Sequence, residues 1–299
     1  MLKINLIRKF IPLTVLNVAA ITPATAMTPN VEQTITELSN TAKDPYEASL
    51  ALMASAEIGA NTQYLNSHQK IIDMLTILDK TPEKYDQWMR NNSFKAWMYG
   101  RILSSANSIH NIVHAQQSQQ KLSLLLNLPL TSQDNFSFHA WARGYLAGSN
   151  EKEYRISKEK MMEDARQLSI NYKQKKGTLA DALWAWIMNL EAAAKEGDRK
   201  TYDDIKLEMQ ALTKTNTVTN ALTQGLLRTT QSNDYPAWGL AKVRLAAAKM
   251  HDPILYGEIE SALDNSTESA QKLTGQGEYI LAFIENQLAR KLAKTSSKL

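Results

Sequence analysis

Apolar residues recur along most of this chain at helical spacing. Residues 199–213 are a clear case, with Tyr202, Ile205, Met209 and Leu212 on one stripe and charged residues between them. Alternation of apolar and polar positions at the period of a strand is nearly absent. Glycine and proline are scarce, while alanine, leucine, lysine, glutamate and glutamine dominate. The pattern predicts an all-α fold. Start signals support it: Asp44-Pro45-Tyr46-Glu47 joins an N-cap to a first-turn proline and a glutamate, and Thr81-Pro82 and Asp252-Pro253 repeat the cap and proline. Ser93, Thr178, Asp198 and Asp234 are further expected caps.

A longer period lies over the helical one. Ala96-Trp97, Ala140-Trp141, Ala185-Trp186 and Ala237-Trp238 each follow a large apolar residue at Phe94, Phe138, Leu183 or Tyr235. Weaker copies around Ala48 and Ala282 extend the series to six, at intervals of 44 to 52 residues. Leucine and a run of small residues follow, as in Leu103-Ser104-Ser105-Ala106 and Leu190-Glu191-Ala192-Ala193-Ala194. A polar turn comes next. A tyrosine then enters a second helix at Tyr64, Tyr154, Tyr202 and Tyr256, with Ile112 near that place in the second copy. The second helices are expected over 62–79, 108–127, 157–174, 199–213 and 253–270, with extra short helices at 82–91 and 218–230. The tryptophans of the Ala-Trp set read mainly as packing residues. Trp88, Tyr99 and Trp184 lie off that phase and are the candidate partner-binding aromatics.

The segment Leu190-x-Ala-Ala-Ala-Lys-x-Gly-Asp-x-x-x-Tyr202 resembles the helix-turn-helix junction of tetratricopeptide-type repeats. The period is longer than the 34 residues of that family. The resemblance implies antiparallel helix pairs stacked as an irregular α-solenoid of about five to six repeats, a scaffold that binds a protein or peptide. An irregular helical bundle is the other architecture compatible with the pattern.

Lys3, Arg8 and Lys9, a short apolar stretch from Phe10 to Ile21, and Ala24-Thr25-Ala26 read as a secretory signal peptide over 1–26. Cleavage is expected after Ala26, leaving a single helical domain over 27–299, periplasmic or secreted. Without that segment, 31 basic residues face 30 acidic ones, a net of +1. Nucleic-acid binding is therefore not expected. The chain has no cysteine, so neither disulfides nor a thiol nucleophile contribute. No later segment is long and apolar enough to span a membrane.

Catalytic signatures are missing. His110 and His114 are spaced to share a helix face, yet Asn111 stands where a zinc protease needs glutamate. The carboxylate neighbours Glu151/Glu153, Glu163/Asp164, Asp203/Asp204 and Glu258/Glu260 read as solvated surface. Glu260-Ser261 starts like the catalytic segment of peptidoglycan-cleaving enzymes, but Ala262-Leu263-Asp264-Asn265 breaks the pattern. No glycine-rich phosphate loop or nucleophile elbow is present, and no cofactor or metal is expected. The basic tail Arg290, Lys291, Lys294 and Lys298 either complements the last helix's negative end or meets anionic lipid. Function is expected to be that of a non-catalytic envelope scaffold or adaptor, in assembly, secretion or toxin neutralisation. The alternative is a cell-wall-acting enzyme or its accessory subunit.

Overall fold

The computed structural model describes residues 31–296, apart from residues 133, 228–233 and 271–276; side chains of 227, 234–235, 264–270 and 296 are also outside the description. The signal-peptide expectation, the Asp234 cap, the Tyr235 side chain and Lys298 fall outside these residues.

The described residues form α-helices and two 3₁₀ turns, with no strand among them. The helices are α1 (Val31–Thr41), α2 (Pro45–Ile58), α3 (Asn61–Lys80), α4 (Asn92–Ser108), α5 (Ile112–Leu126), α6 (Phe136–Ala147), α7 (Glu151–Lys173), α8 (Leu179–Lys195), α9 (Arg199–Thr213), α10 (Val218–Leu227), α11 (Asp234–Lys249), α12 (Pro253–Ala270) and α13 (Gly277–Ser296). The expected helix pairs are α2/α3, α4/α5, α6/α7, α8/α9 and α11/α12, with α10 as the extra short helix. The segment 82–91 is not one short helix but two 3₁₀ turns, Pro82–Lys84 and Gln87–Arg90.

The pairs close into a ring. Going round, α2 packs on α4, α4 on α6, α6 on α8, α8 on α11, α11 on α13, and α13 returns to α2. These six inner helices carry the six periodic alanines, all buried. At the closure, Tyr46 donates a hydrogen bond to Glu278 Oε1 at 2.6 Å. Gly277 lies so close to α2 that a Cβ there would sit 2.7 Å from Leu50 Cβ. The sixth outer position is filled by the first described helix: α1 packs on α2, α3 and α13. The first and last described helices, α1 and α13, thus complete one helix pair between them.

The turns from inner to outer helices share a chemistry. Gly59, His110, Gly197 and His251 take the left-handed conformation, with φ of 75°, 57°, 68° and 51°. The amide of the following residue bonds back to the inner helix at Ser55, Ala106, Ala193 or Ala247. Asn111, Asp198 and Asp252 then cap the outer helix through their side chains. His110 is therefore a turn residue, and it does not share a helix face with His114. The tyrosine sits four residues after the cap; in the second pair that place belongs to buried Ala115, while Ile112 is exposed at the start of α5. Asn91, not Ser93, caps α4.

The caps also join neighbouring pairs. Tyr154 and Lys158 donate to Asp198 at 3.0 and 2.6 Å, and Tyr202 and Lys206 donate to Asp252 at 3.3 and 2.7 Å. One aspartate thus ends a turn, starts a helix and ties down the preceding repeat.

Candidate functional site

Side chains at equivalent positions of the inner helices meet inside the ring. The first layer is aromatic. Tyr46, Trp97, Trp141, Trp184 and Trp238 meet there, with ring centroids 5.5 Å apart for Tyr46–Trp97 and 5.1 Å for both Trp97–Trp141 and Trp184–Trp238. The fourth tryptophan of this layer is Trp184, not Trp186. Trp186 faces outward and donates to Ser169 of α7 at 3.0 Å. In α8 the Ala-Trp pair is thus two residues out of phase with the other copies.

One helical turn later the layer changes character. Four residues after each axial tryptophan come Arg101, Tyr145, Met188 and Lys242. Arg101 is 1% exposed, with its guanidinium carbon 4.2 Å from the Trp97 ring, 4.7 Å from Tyr46 and 5.4 Å from Trp238. It also donates to Ser49. These rings take the place of a counter-ion through cation–π attraction. The four tryptophans, Arg101, Tyr145 and Met188 leave a cavity of about 10 Å³, room for about one water.

Four helices bring carboxylates and lysines to the same axis. Lys242 of α11 lies 3.0 Å from Glu191 of α8 and 3.0 Å from Glu285 of α13, and Trp238 Nε1 donates to Glu285 at 3.1 Å. Glu57 of α2 faces Glu285. Oε2 of each is buried with no hydrogen-bond partner among the described residues. Burial pushes Glu57 well up, and the neighbouring Glu285 pushes it further. Burial also raises Glu285, although Lys242 opposes the shift. Glu191 goes the other way: burial would raise it, but the ammoniums of Lys195, Lys242 and Lys249 hold it below the usual carboxylate range. Lys242 stays charged, because Glu191 and Glu285 outweigh its burial.

None of these axial charges was singled out from the sequence. Glu191, Lys242 and Glu285 sit among small and apolar residues, where a charge must be buried. That contrast was the available signal. Of the candidate aromatics, Trp184 lies inside the ring at 4% exposure, away from any surface. Tyr99 is half-buried, and burial raises its phenol, with Asp79 adding to the shift. Trp88 is 38% exposed and packs edge-on to Phe94 at 5.0 Å. The three are not gathered into one site.

Among the carboxylate neighbours, Asp164 is buried and accepts from Arg143 Nε at 2.6 Å, so it is not solvated surface. No group of three or more His, Asp or Glu side chains suited to a metal occurs among the described residues. No described helix is long and apolar enough to cross a membrane.

The end of the ring where inner helices stop and outer helices start carries two clefts beside α13. One, of about 360 Å³, is lined by Val31, Glu57, Ile58, Ile284 and Leu288 among others. The other, of about 290 Å³, includes His251, Pro253, Tyr256 and Ala293. Exposed apolar side chains occupy the first two turns of the outer helices, Leu65, Ile112, Val113, Ile156 and Ile254, with Ile112 68% and Ile254 74% exposed, and others, Ile77, Leu124 and Ile170, lie in the last turns. Comparison with protein-family models, with curated proteins and with solved structures finds no match to this chain.

Proposed function

We propose that this chain is an exported, non-catalytic scaffold that binds a protein or peptide partner in the bacterial envelope. The partner surface is the ring end bearing the outer-helix starts. The observation that carries this reading is where the open surface lies. The axis is filled at its aromatic layer to within about one water, while Ile112, Val113, Ile156 and Ile254 stand in solvent at the ring's end. Among the described residues the three most exposed large apolar side chains, Ile254, Ile112 and Ile156, all stand at this end, and exposed apolar surface of this kind is typical of partner sites. The axial salt bridges hold the inner helices together in this reading, since they join α8, α11 and α13.

The test is capture from envelope extracts with the mature chain, beside a double variant Ile112→Glu/Ile254→Glu. A partner held by the unaltered chain and lost by the folded variant supports the reading. Cleavage of cell-wall polymer by the purified protein, with no partner retained, contradicts it.

One observation favours the enzyme reading. Burial and Glu285 push the Glu57 carboxyl up where it lines the 360 Å³ cleft, while lysines hold Glu191 nearby below the usual carboxylate range. Carboxyls whose surroundings push their pKa values apart are what acid–base hydrolysis requires. A cell-wall hydrolase activity abolished by Glu57→Gln is the result expected from that alternative.

A further inference from the structure

The opposite end of the ring holds a cavity of about 920 Å³ between two neighbouring turns. One turn leads from α7 to α8, the other from α9 to α10. Lys173 and Lys175 border it on one side and Lys214 on the other, over a floor that includes Tyr172, Leu179 and Leu212. The volume lies within the roughly 300–1,000 Å³ of small-ligand sites.

The two turns match. Lys175 and Lys214 both take left-handed backbone, with φ of 58° and 56°, a conformation that usually selects glycine or asparagine. Lysine near a helix C-terminus complements the helix dipole, which accounts for one cation per helix end. It does not account for three cations around one cavity with no acid between them. Six of the other eight cations on the same two outer helices, Arg155, Lys158, Lys160, Arg166, Arg199 and Lys206, form ion pairs, while Lys152 and Lys200 do not among the described residues. Lys173, Lys175 and Lys214 form none among the described residues. Thr178 adds a hydroxyl at the rim, and Gln224 adds an amide.

We propose that this cavity binds a soluble ligand carrying at least two phosphate-type groups. A single carboxylate would neutralise one lysine and leave two repelling. A ligand with several phosphates meets all three, and its body rests on Tyr172 and Leu212. A flat bilayer would reach the exposed lysines but not the recessed floor, which is why the ligand is assigned as soluble. This inference is independent of the partner-binding reading, because the cavity and the apolar rim lie at opposite ends of the ring.

The test uses sodium tripolyphosphate as the probe, titrated by calorimetry into the chain at low and at physiological salt. Vesicles of phosphatidylglycerol and phosphatidylcholine form the second arm. Saturable binding of tripolyphosphate is expected, weaker at higher salt. The variant Lys173→Gln/Lys175→Gln/Lys214→Gln is expected to lose at least tenfold in affinity. Lys80→Gln/Lys84→Gln/Lys121→Gln, which removes the same charge elsewhere, is expected to bind as the parent does. Circular dichroism confirms that both variants fold. The proposal is overturned if tripolyphosphate at millimolar concentration does not bind. It is also overturned if both triple variants weaken equally, or if only the anionic vesicles bind.

Discussion

Replacing Lys242 by methionine tests the reading of the axial charges. Lys242 is 3.0 Å from both Glu191 and Glu285 and is buried with them. Methionine fills similar space but leaves two carboxylates facing a third, Glu57, without their shared cation. Removing one partner of a buried ion pair costs about 3–5 kcal/mol. At roughly 2–4 °C per kcal/mol for a domain of this size, the melting temperature should fall by about 10 °C at neutral pH.

The sign of the pH effect follows from the stranded acids. Their folded-state pKa values rise, so the folded chain holds protons that the unfolded chain releases above about 4.5. Stability is then lost as pH rises from that value toward the raised pKa, and it is fully kept below it. The destabilisation should therefore be several kcal/mol at pH 7.5 and much smaller at pH 4.5. Adding Glu285→Gln to Lys242→Met should recover part of the loss at pH 7.5. The assay is urea unfolding followed by tryptophan fluorescence and circular dichroism at both pH values. A loss below about 1 kcal/mol, or one that is equal at both pH values, would refute the reasoning.

Two further outcomes follow from the packing. Gly144→Ala places a methyl group 2.7 Å from Met188 Cβ at the α6–α8 contact, so it should destabilise by about 1–3 kcal/mol. Gly257→Ala in α12 meets nothing within 4 Å and should instead stabilise by up to about 1 kcal/mol; urea unfolding compares the two. His68 stacks on His114 with centroids 3.9 Å apart, and burial, aided by His114, pushes it down to about 4. Its neutral form favours the folded state above about 6.5, and that contribution fades as pH falls toward 4. His68→Phe should flatten the stability profile in this window relative to the parent, and equal slopes would count against the assignment.

Helix content and pairing were legible in the sequence, because amphipathic stripes, caps and small-residue runs are local features. Second helices such as 199–213 and 253–270 match the structure end to end. Ring closure was not legible, because no local pattern records that α13 meets α2. The helix that completes the sixth pair, α1, was also missed. Only Ile35 of its eleven residues is fully buried, so its stripe is too thin to stand out. At α8 two tryptophans lie two residues apart, and local sequence does not distinguish Trp186 after alanine, which faces α7, from Trp184, which holds the axial position. The partners of Asp198 and Asp252 lie some 40 to 50 residues earlier in the chain, in the preceding outer helix, which no motif encodes. The axial charges were hidden for a related reason: Glu191 and Glu285 gain meaning only when a third helix brings Lys242 between them.

Closure of the ring is the central claim, and one distance tests it. Ile58 on α2 and Gln287 on α13 line the same cleft although 229 positions separate them. The chain has no cysteine, so Ile58→Cys/Gln287→Cys accepts two spin labels and no others. Adjacent packed helices lie about 8–10 Å apart, so the closed ring predicts a narrow label-to-label distribution near 20 Å or less by pulsed electron spin resonance. An open stack of six inner helices would separate the first from the last by roughly 40–50 Å on the same spacing, and a distribution centred there would contradict the account.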